Sequence, residues 1–156
     1  QRILAGAMAG RAELPLNMDA WDGYPAARER VFKAALDANA NLISLAGDTH
    51  NAWAFDLDHA GEKVGVEFGV QGVTSPGLES YASYLPVDVL ERETVAHNRQ
   101  LKWMDGSRRG YMAVELTPAS ASSEFRFVSS VREKGAGVND TRRVSTQAGS
   151  RALDIG

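Results

Sequence analysis

Leu42-Ile43-Ser44-Leu45-Ala46-Gly47-Asp48-Thr49-His50-Asn51 decides how this chain is read. Its first half has the character of a short buried strand, with Ile43 and Leu45 apolar and strand-like. Gly47 then allows the backbone a sharp exit. Asp48 and His50 stand two residues apart, and in an extended segment their side chains share one face. A carboxylate and an imidazole converging at the C-terminal end of a strand suit a hard or borderline metal ion. Chemistry commonly gathers at such strand ends in open α/β sheets. Taken alone, the string leaves two readings open: metal ligands, or an Asp-x-His loop whose polar groups are satisfied locally.

Upstream of it, Pro25 suits the first position of a helix, and Ala26 to Ala40 follows with strong helix formers. Ala27, Val31, Ala35 and Leu36 make the expected buried stripe, with Phe32 beside it; Arg28, Glu29, Arg30 and Lys33 take the wet side. Asn39 and Asn41 supply a C-terminal stop. Helix followed by strand is half of an α/β unit. Before the helix, residues 1–8 read as a short strand and residues 9–24 as an irregular loop.

Downstream the character turns to β. Residues 52–57 and 64–70 flank the polar run 58–63, a hairpin with a six-residue loop. Val64, Val66, Phe68 and Val70 alternate with Gly65, Glu67 and Gly69, so one buried face is expected. Ser75-Pro76-Gly77 breaks the pattern. Residues 78–99 read as helical in parts, interrupted at Pro86, with a surface helix over 87–96. Residues 110–116 and 123–131 read as two more strands, paired across 117–122. Trp53, Phe55 and Trp103 are assigned to the core. Residues 134–156, sparse in apolar side chains, read as an extended, partly ordered tail.

Composition excludes several classes. The 156 residues have room for one domain with a real core. The net charge of −3 and isoelectric point near 5.6 argue against a general nucleic-acid binder. No run approaches the roughly 18 apolar residues that span a membrane. Cysteine is absent, which removes disulfides, thiolate zinc sites and Cys nucleophiles from this span. There is no Gly-x-Ser-x-Gly elbow, no Gly-x-x-x-x-Gly-Lys phosphate loop and no Gly-x-Gly-x-x-Gly fingerprint.

Four further strings stand in order around the first: Asn17-Met18-Asp19-Ala20-Trp21-Asp22-Gly23-Tyr24-Pro25, Trp53-Ala54-Phe55-Asp56-Leu57, Val66-Glu67-Phe68 with Val73-Thr74-Ser75-Pro76-Gly77-Leu78-Glu79, and Leu101-Lys102-Trp103 before Ser107-Arg108-Arg109-Gly110-Tyr111. From about Gln1 to Val131 this series resembles the C-terminal part of the alkaline phosphatase D (PhoD-like) family. The resemblance implies an α/β fold, a partial calcineurin-like metallophosphatase sandwich built from one helix-strand unit followed by β-hairpins. It places residues 1–133 in the C-terminal part of a catalytic domain and leaves 134–156 as the tail. It implies phosphate ester hydrolysis by a metal-activated hydroxide, and an exported, periplasmic or secreted, protein. The early Asp-, Asn- and His-rich loops of such enzymes have no counterpart here, and the chain begins at Gln1 without initiator Met or targeting segment. The expectation is therefore a fragment of a longer enzyme. It should be inactive alone, and should associate with itself or with a missing N-terminal half. The alternative is a non-catalytic β-rich interaction domain or a degenerate family member.

Within that resemblance, Asp48 and His50 are the expected catalytic metal ligands, with Asn51 as a ligand or a support for them. Related metallophosphatases carry Gly-His-x-His at this point. Asp48 in place of the first His hardens the donor set and favours calcium and iron over a zinc pair. Asp19, Trp21, Asp22 and Tyr24 form a polar-aromatic cluster that could line the substrate pocket, just before a helix N-terminus that favours anions. It could equally be a rigid structural loop. Arg108 and Arg109 are candidate phosphate contacts, although two adjacent Arg residues before a strand also suit a solvated strand entrance. His59 and His97 read as exposed. Asp48 and His50 are expected to face a common polar space, with loop 17–24 lying against their turn.

Overall fold

A computed structural model of the chain describes the backbone of Met8–Ala9 and Leu14–Pro15, and residues 18–156. The two short pieces form an antiparallel pair, β1 (Met8–Ala9) and β2 (Leu14–Pro15). The rest of the expected strand over 1–8 and of the loop up to Asn17 lies outside the described residues.

Helix α1 spans Pro25–Asp37, with proline in its first turn, where a missing N–H breaks no helical bond. Its exit is a Schellman turn: Asn39 takes φ 50°, the Asn39 N–H donates to Leu36 O, and the Ala40 N–H donates to Ala35 O. Phe32 is 3% exposed, and Ala35 and Leu36 pack beside it. Val31, expected in that stripe, is 36% exposed. The helix has rotated so that the bulkiest apolar side chain, Phe32, centres the buried face.

The first sheet has the order β3-β5-β4-β6, with β3 (Leu42–Ala46), β4 (Ala52–His59), β5 (Glu62–Gly69) and β6 (Leu101–Asp105). β3 runs parallel to β5, and the other pairs are antiparallel. Among the described residues β3 pairs on one side only, and Leu45 is 41% exposed. The expectation of a short buried strand holds in part: Ala46 is buried, Leu42 to Ser44 are half-buried, and Leu45 is exposed, with β3 at the edge of the sheet among the described residues. β5 departs from expectation the other way. Residues 64–69 are buried throughout, because the strand is covered on both faces. On one face, Trp53, Phe55, Leu57, Val64, Leu101 and Met104 pack with Phe32 of α1 and Val95 of α2 (Val87–His97). On the other, Ala52, Ala54, Val66 and Phe68 meet a second sheet.

The β4–β5 connection is shorter than the six residues expected. Only Ala60 and Gly61 lie between the strands, with φ 50° and 86°. Positive φ at both positions is the type I′ hairpin geometry, whose twist matches that of the flanking strands.

The second sheet is an antiparallel meander of β7 (Gly110–Leu116), β8 (Ser120–Val128) and β9 (Val138–Gln147). Phe125 and Phe127 are fully buried on its inner face, and Trp103 of β6 packs on both rings at 5.0 and 6.5 Å between centroids. β9 lies in the segment expected to be a tail. Its inward positions include Val144 and Thr146, only one of them apolar, so the alternation is faint in the sequence. Backbone pairing with β8 holds it, and Leu153 and Ile155 return to the inter-sheet core.

Phe32→Ala should cost about 3–5 kcal/mol in urea unfolding, because the cavity opens beneath the only fully covered side chain of α1 among the described residues. Val31→Ser should stay within about 0.5 kcal/mol.

Candidate functional site

Ala46, Gly69, Trp53 and Met104 stand side by side across the first sheet. The connections leaving this end are the Gly47–Asn51 turn, the loop 70–79 and the loop 106–109, so three separate stretches of sequence meet there. Gly77 marks how closely. A Cβ at that position would stand 2.6 Å from Asn51 Oδ1 and 2.9 Å from both Glu79 Oε2 and Gly106 O.

The turn is not extended, so the sharing of a face by alternate residues does not apply to Asp48 and His50. The left-handed conformations fall on these two residues rather than on Gly47, with φ 81° at Asp48 and φ 62° at His50. Each such non-glycine residue costs about 1–2 kcal/mol, which the surrounding bonds must offset. Those bonds are specific. Trp53 Nε1 donates to Thr49 Oγ1 at 2.7 Å, and Asn51 Nδ2 donates to Thr49 O at 2.7 Å. Asn51 Oδ1 accepts from the Leu78 N–H at 2.8 Å. Asn51 is 3% exposed, and in this arrangement its amide braces the turn against the 70–79 loop.

His50 Nδ1 lies 3.0 Å from Pro76 O. A carbonyl oxygen only accepts, so Nδ1 carries the proton. In the neutral ring that leaves the lone pair on Nε2. This is the backbone-carbonyl arrangement that orients metal-binding imidazoles. Asp48 is exposed on the same turn. Among the described residues no three His, Cys, Asp or Glu side chains gather into a metal-holding group. Asp48 and His50 therefore fit part of a metal site, not a complete one.

Arg108, a candidate phosphate contact, is bonded elsewhere. Its Nε donates to Asp105 Oδ2 at 2.5 Å, Nη1 pairs with Asp140, and the guanidinium lies 3.8 Å from the Phe127 ring centre. Burial opposes its charge, but Asp105 and Asp140 outweigh that and hold it more firmly protonated. Asp22 is also committed, to Arg28 at 2.6 Å. Arg28 lines a cleft of about 310 Å³ with Phe32, residues 58–61, Arg99 and Gln100. That cleft sits at the hairpin tip, whereas the Gly47–Asn51 turn leads into the opposite end of β4. The Asp22 carboxylate is thus tied to α1 through Arg28. Asp19 and Tyr24 are exposed and Trp21 is half-buried.

Glu79, Arg109 and Glu91 also belong to this end of the sheet; Arg109 is one of the two candidate phosphate contacts, while Glu79 and Glu91 have no local sequence signal that sets them apart. Arg109 pairs with Glu79, while Glu91 Oε1 accepts from the Gly106 N–H at 2.8 Å.

Comparison with known proteins defines the class. The pattern of PhoD-like phosphatases matches residues 1–125. The chain belongs to the PhoD-like phosphatase family. It is 33% identical to alkaline phosphatase D of Bacillus subtilis (strain 168) over 129 residues, which is 79% of this chain and 21% of that protein. A solved structure described as that of PhoD superposes with a TM-score of 0.82 at 27% identity, covering 99% of this chain and 30% of the other. The chain thus spans less than a third of the relatives it matches.

Burial pushes the Glu91 carboxyl above its ordinary 4.5; the Gly106 N–H opposes this, Asp105 adds to it, Arg108 opposes and Asp88 adds. A raised folded-state value means the folded chain holds the proton more tightly than the unfolded one. Stability from this group is fullest below 4.5 and is lost as pH rises through the raised value. Glu91→Gln keeps an acceptor for Gly106 and removes that loss. Its melting temperature relative to the parent should therefore rise between about pH 4 and about pH 7.

Proposed function

We propose that this chain is the C-terminal part of a metal-dependent phosphoric ester hydrolase, with Asp48 and His50 holding a metal ion at the end of β3. The observation that carries the proposal is the His50–Pro76 contact, which leaves Nε2 as the donor atom. Left-handed backbone at Asp48 and His50 supports it, since such conformations cluster at functional sites. The carboxylate and imidazole pair favours calcium or iron. When bound, such an ion lowers the pKa of a coordinated water and neutralises phosphoryl charge. The chain's own residues do the rest: Asp48 and His50 bind, Pro76 O fixes the ring, and Asn51 and Thr49 hold the turn. The substrate class is a phosphate ester attacked in line at phosphorus. The loop residues Asp19, Trp21, Asp22 and Tyr24, and Arg108, are left outside the proposed site.

The two packed sheets with helices on one outer face are consistent with a calcineurin-like sandwich, of which this chain would form one part. We further propose a periplasmic or secreted location, from family membership. Association with the remainder of a longer protein, or with a second copy, is supported by the exposed Leu45 and by the one-sided pairing of β3 among the described residues. No helix among the described residues is long and apolar enough to cross a membrane.

The test is hydrolysis of an aryl phosphate with added calcium and iron, by the longer protein and by the 156-residue chain. In the longer protein, Asp48→Ala and His50→Ala should each lower turnover on the order of 100-fold or more, with matching loss of bound metal. The chain alone should show little turnover, because a clamp on both attacking and leaving oxygens needs more ligands than it has. Full activity in both variants would favour the non-catalytic interaction domain instead.

A further inference from the structure

The Pro76 carbonyl that orients His50 belongs to a loop with little regular structure of its own. Two side chains from elsewhere hold the residues that follow it. Asn51 takes the Leu78 N–H at 2.8 Å. Arg109, at the entrance to β7, pairs with Glu79 from the other side. The same carboxylate oxygen of Glu79 lies 3.3 Å from the Gly77 N–H.

Arg109 is itself fixed. Its side chain is 13% exposed, and it donates to Ser107 O as well as to Glu79. Its carbonyl accepts from the Val128 N–H at 2.9 Å, and the next residue, Gly110, donates its N–H to Gly72 O at 3.1 Å. Arg109 thus stands where the second sheet meets the loop of the first. A guanidinium at the entrance to the β7–β8 pair reaches the loop 70–79 through one acid, three residues from Pro76.

We propose that Arg109 and Glu79 form a positioning pair for His50, acting through the Pro76 carbonyl to hold the imidazole with Nδ1 protonated and Nε2 open. The proposal rests on the reading of His50 as a metal ligand for its consequence, but not for its test. Without the pair, the 76–79 segment keeps the Asn51 tether at Leu78 and the backbone bond from the Glu79 N–H to Gly106 O at 3.3 Å, but loses the guanidinium that fixes the Glu79 carboxylate beneath Gly77, and Pro76 O shifts from Nδ1. A free neutral imidazole then returns towards its Nε2-protonated form, which closes the donor atom.

The readout is the His50 tautomer, taken from long-range proton–nitrogen NMR at a pH where the ring is neutral, in the 156-residue chain. The parent should show the Nδ1–H form. Arg109→Met keeps the aliphatic stem and removes the guanidinium; it should move the tautomer ratio about fivefold to tenfold towards Nε2–H. Arg109→Lys should restore most of the parent ratio. Where Arg109→Met does not fold, Glu79→Ala breaks the same pair and decides the question. An unchanged Nδ1–H signal in a folded Arg109→Met or Glu79→Ala chain overturns the proposal. Line broadening at His50 by added manganese(II) tests the metal reading separately. With or without that broadening, the tautomer alone decides the positioning pair.

Discussion

The candidate site depends on one constraint: β5 is buried on both faces and must keep its register with β3 and β4. Ala46, Gly69 and Trp53 are locked side by side by that pairing. Because the strands end together, the connections leaving them have no room to diverge. The turn after β3, the loop after β5 and the loop after β6 are forced into contact at Gly77. A one-residue slip of β5 would turn Phe68 out of the inter-sheet core and Glu67 into it, so register is strongly specified.

From this follows how a turn with two strained residues persists. Left-handed backbone at Asp48 and His50 would relax in an isolated peptide. Here Trp53 at the start of β4, Asn51 just before it and Pro76 of the loop after β5 each contribute a hydrogen bond that braces it. The aromatic that anchors Thr49 is the one stacked on Phe55 at 5.8 Å in the core under α1. Core packing and site geometry are thus connected through Trp53. The ion pairs further out, Arg108 with Asp105 and Asp140, tie the β6–β7 loop to β9 and steady the same end of the molecule.

Much of this was legible in the sequence, and the exceptions have physical reasons. Pro25 marked a helix start, the Val64–Phe68 alternation marked a strand, and Gly47-Asp48-Thr49-His50 marked a turn at a strand end. β9 was missed because a strand backed by one buried valine and held mainly by its ladder has almost no periodicity. The α1 face was misplaced because Val31 and Phe32 are adjacent and the pattern alone does not say which one centres the stripe. Burial of β5 on both faces was hidden by glycines, which leave the second face open for α1 and the Trp53 ring. The Arg109–Glu79 pair lies 30 residues apart in sequence, and only the fold brings the two together. For the loop ending in Tyr24, composition suggested a pocket wall; the bond from Arg28 of α1 to Asp22 was not legible there.

The proposed site depends most on Nε2 of His50 being the open donor. Anomalous diffraction from crystals of the longer protein, grown with its native metal, tests this directly. The expected result is a metal peak within about 2.0–2.6 Å of both His50 Nε2 and the Asp48 carboxylate, with Nδ1 still on Pro76 O. A metal bound elsewhere while Nε2 faces solvent, or bound through Nδ1 with the Pro76 contact broken, would contradict it.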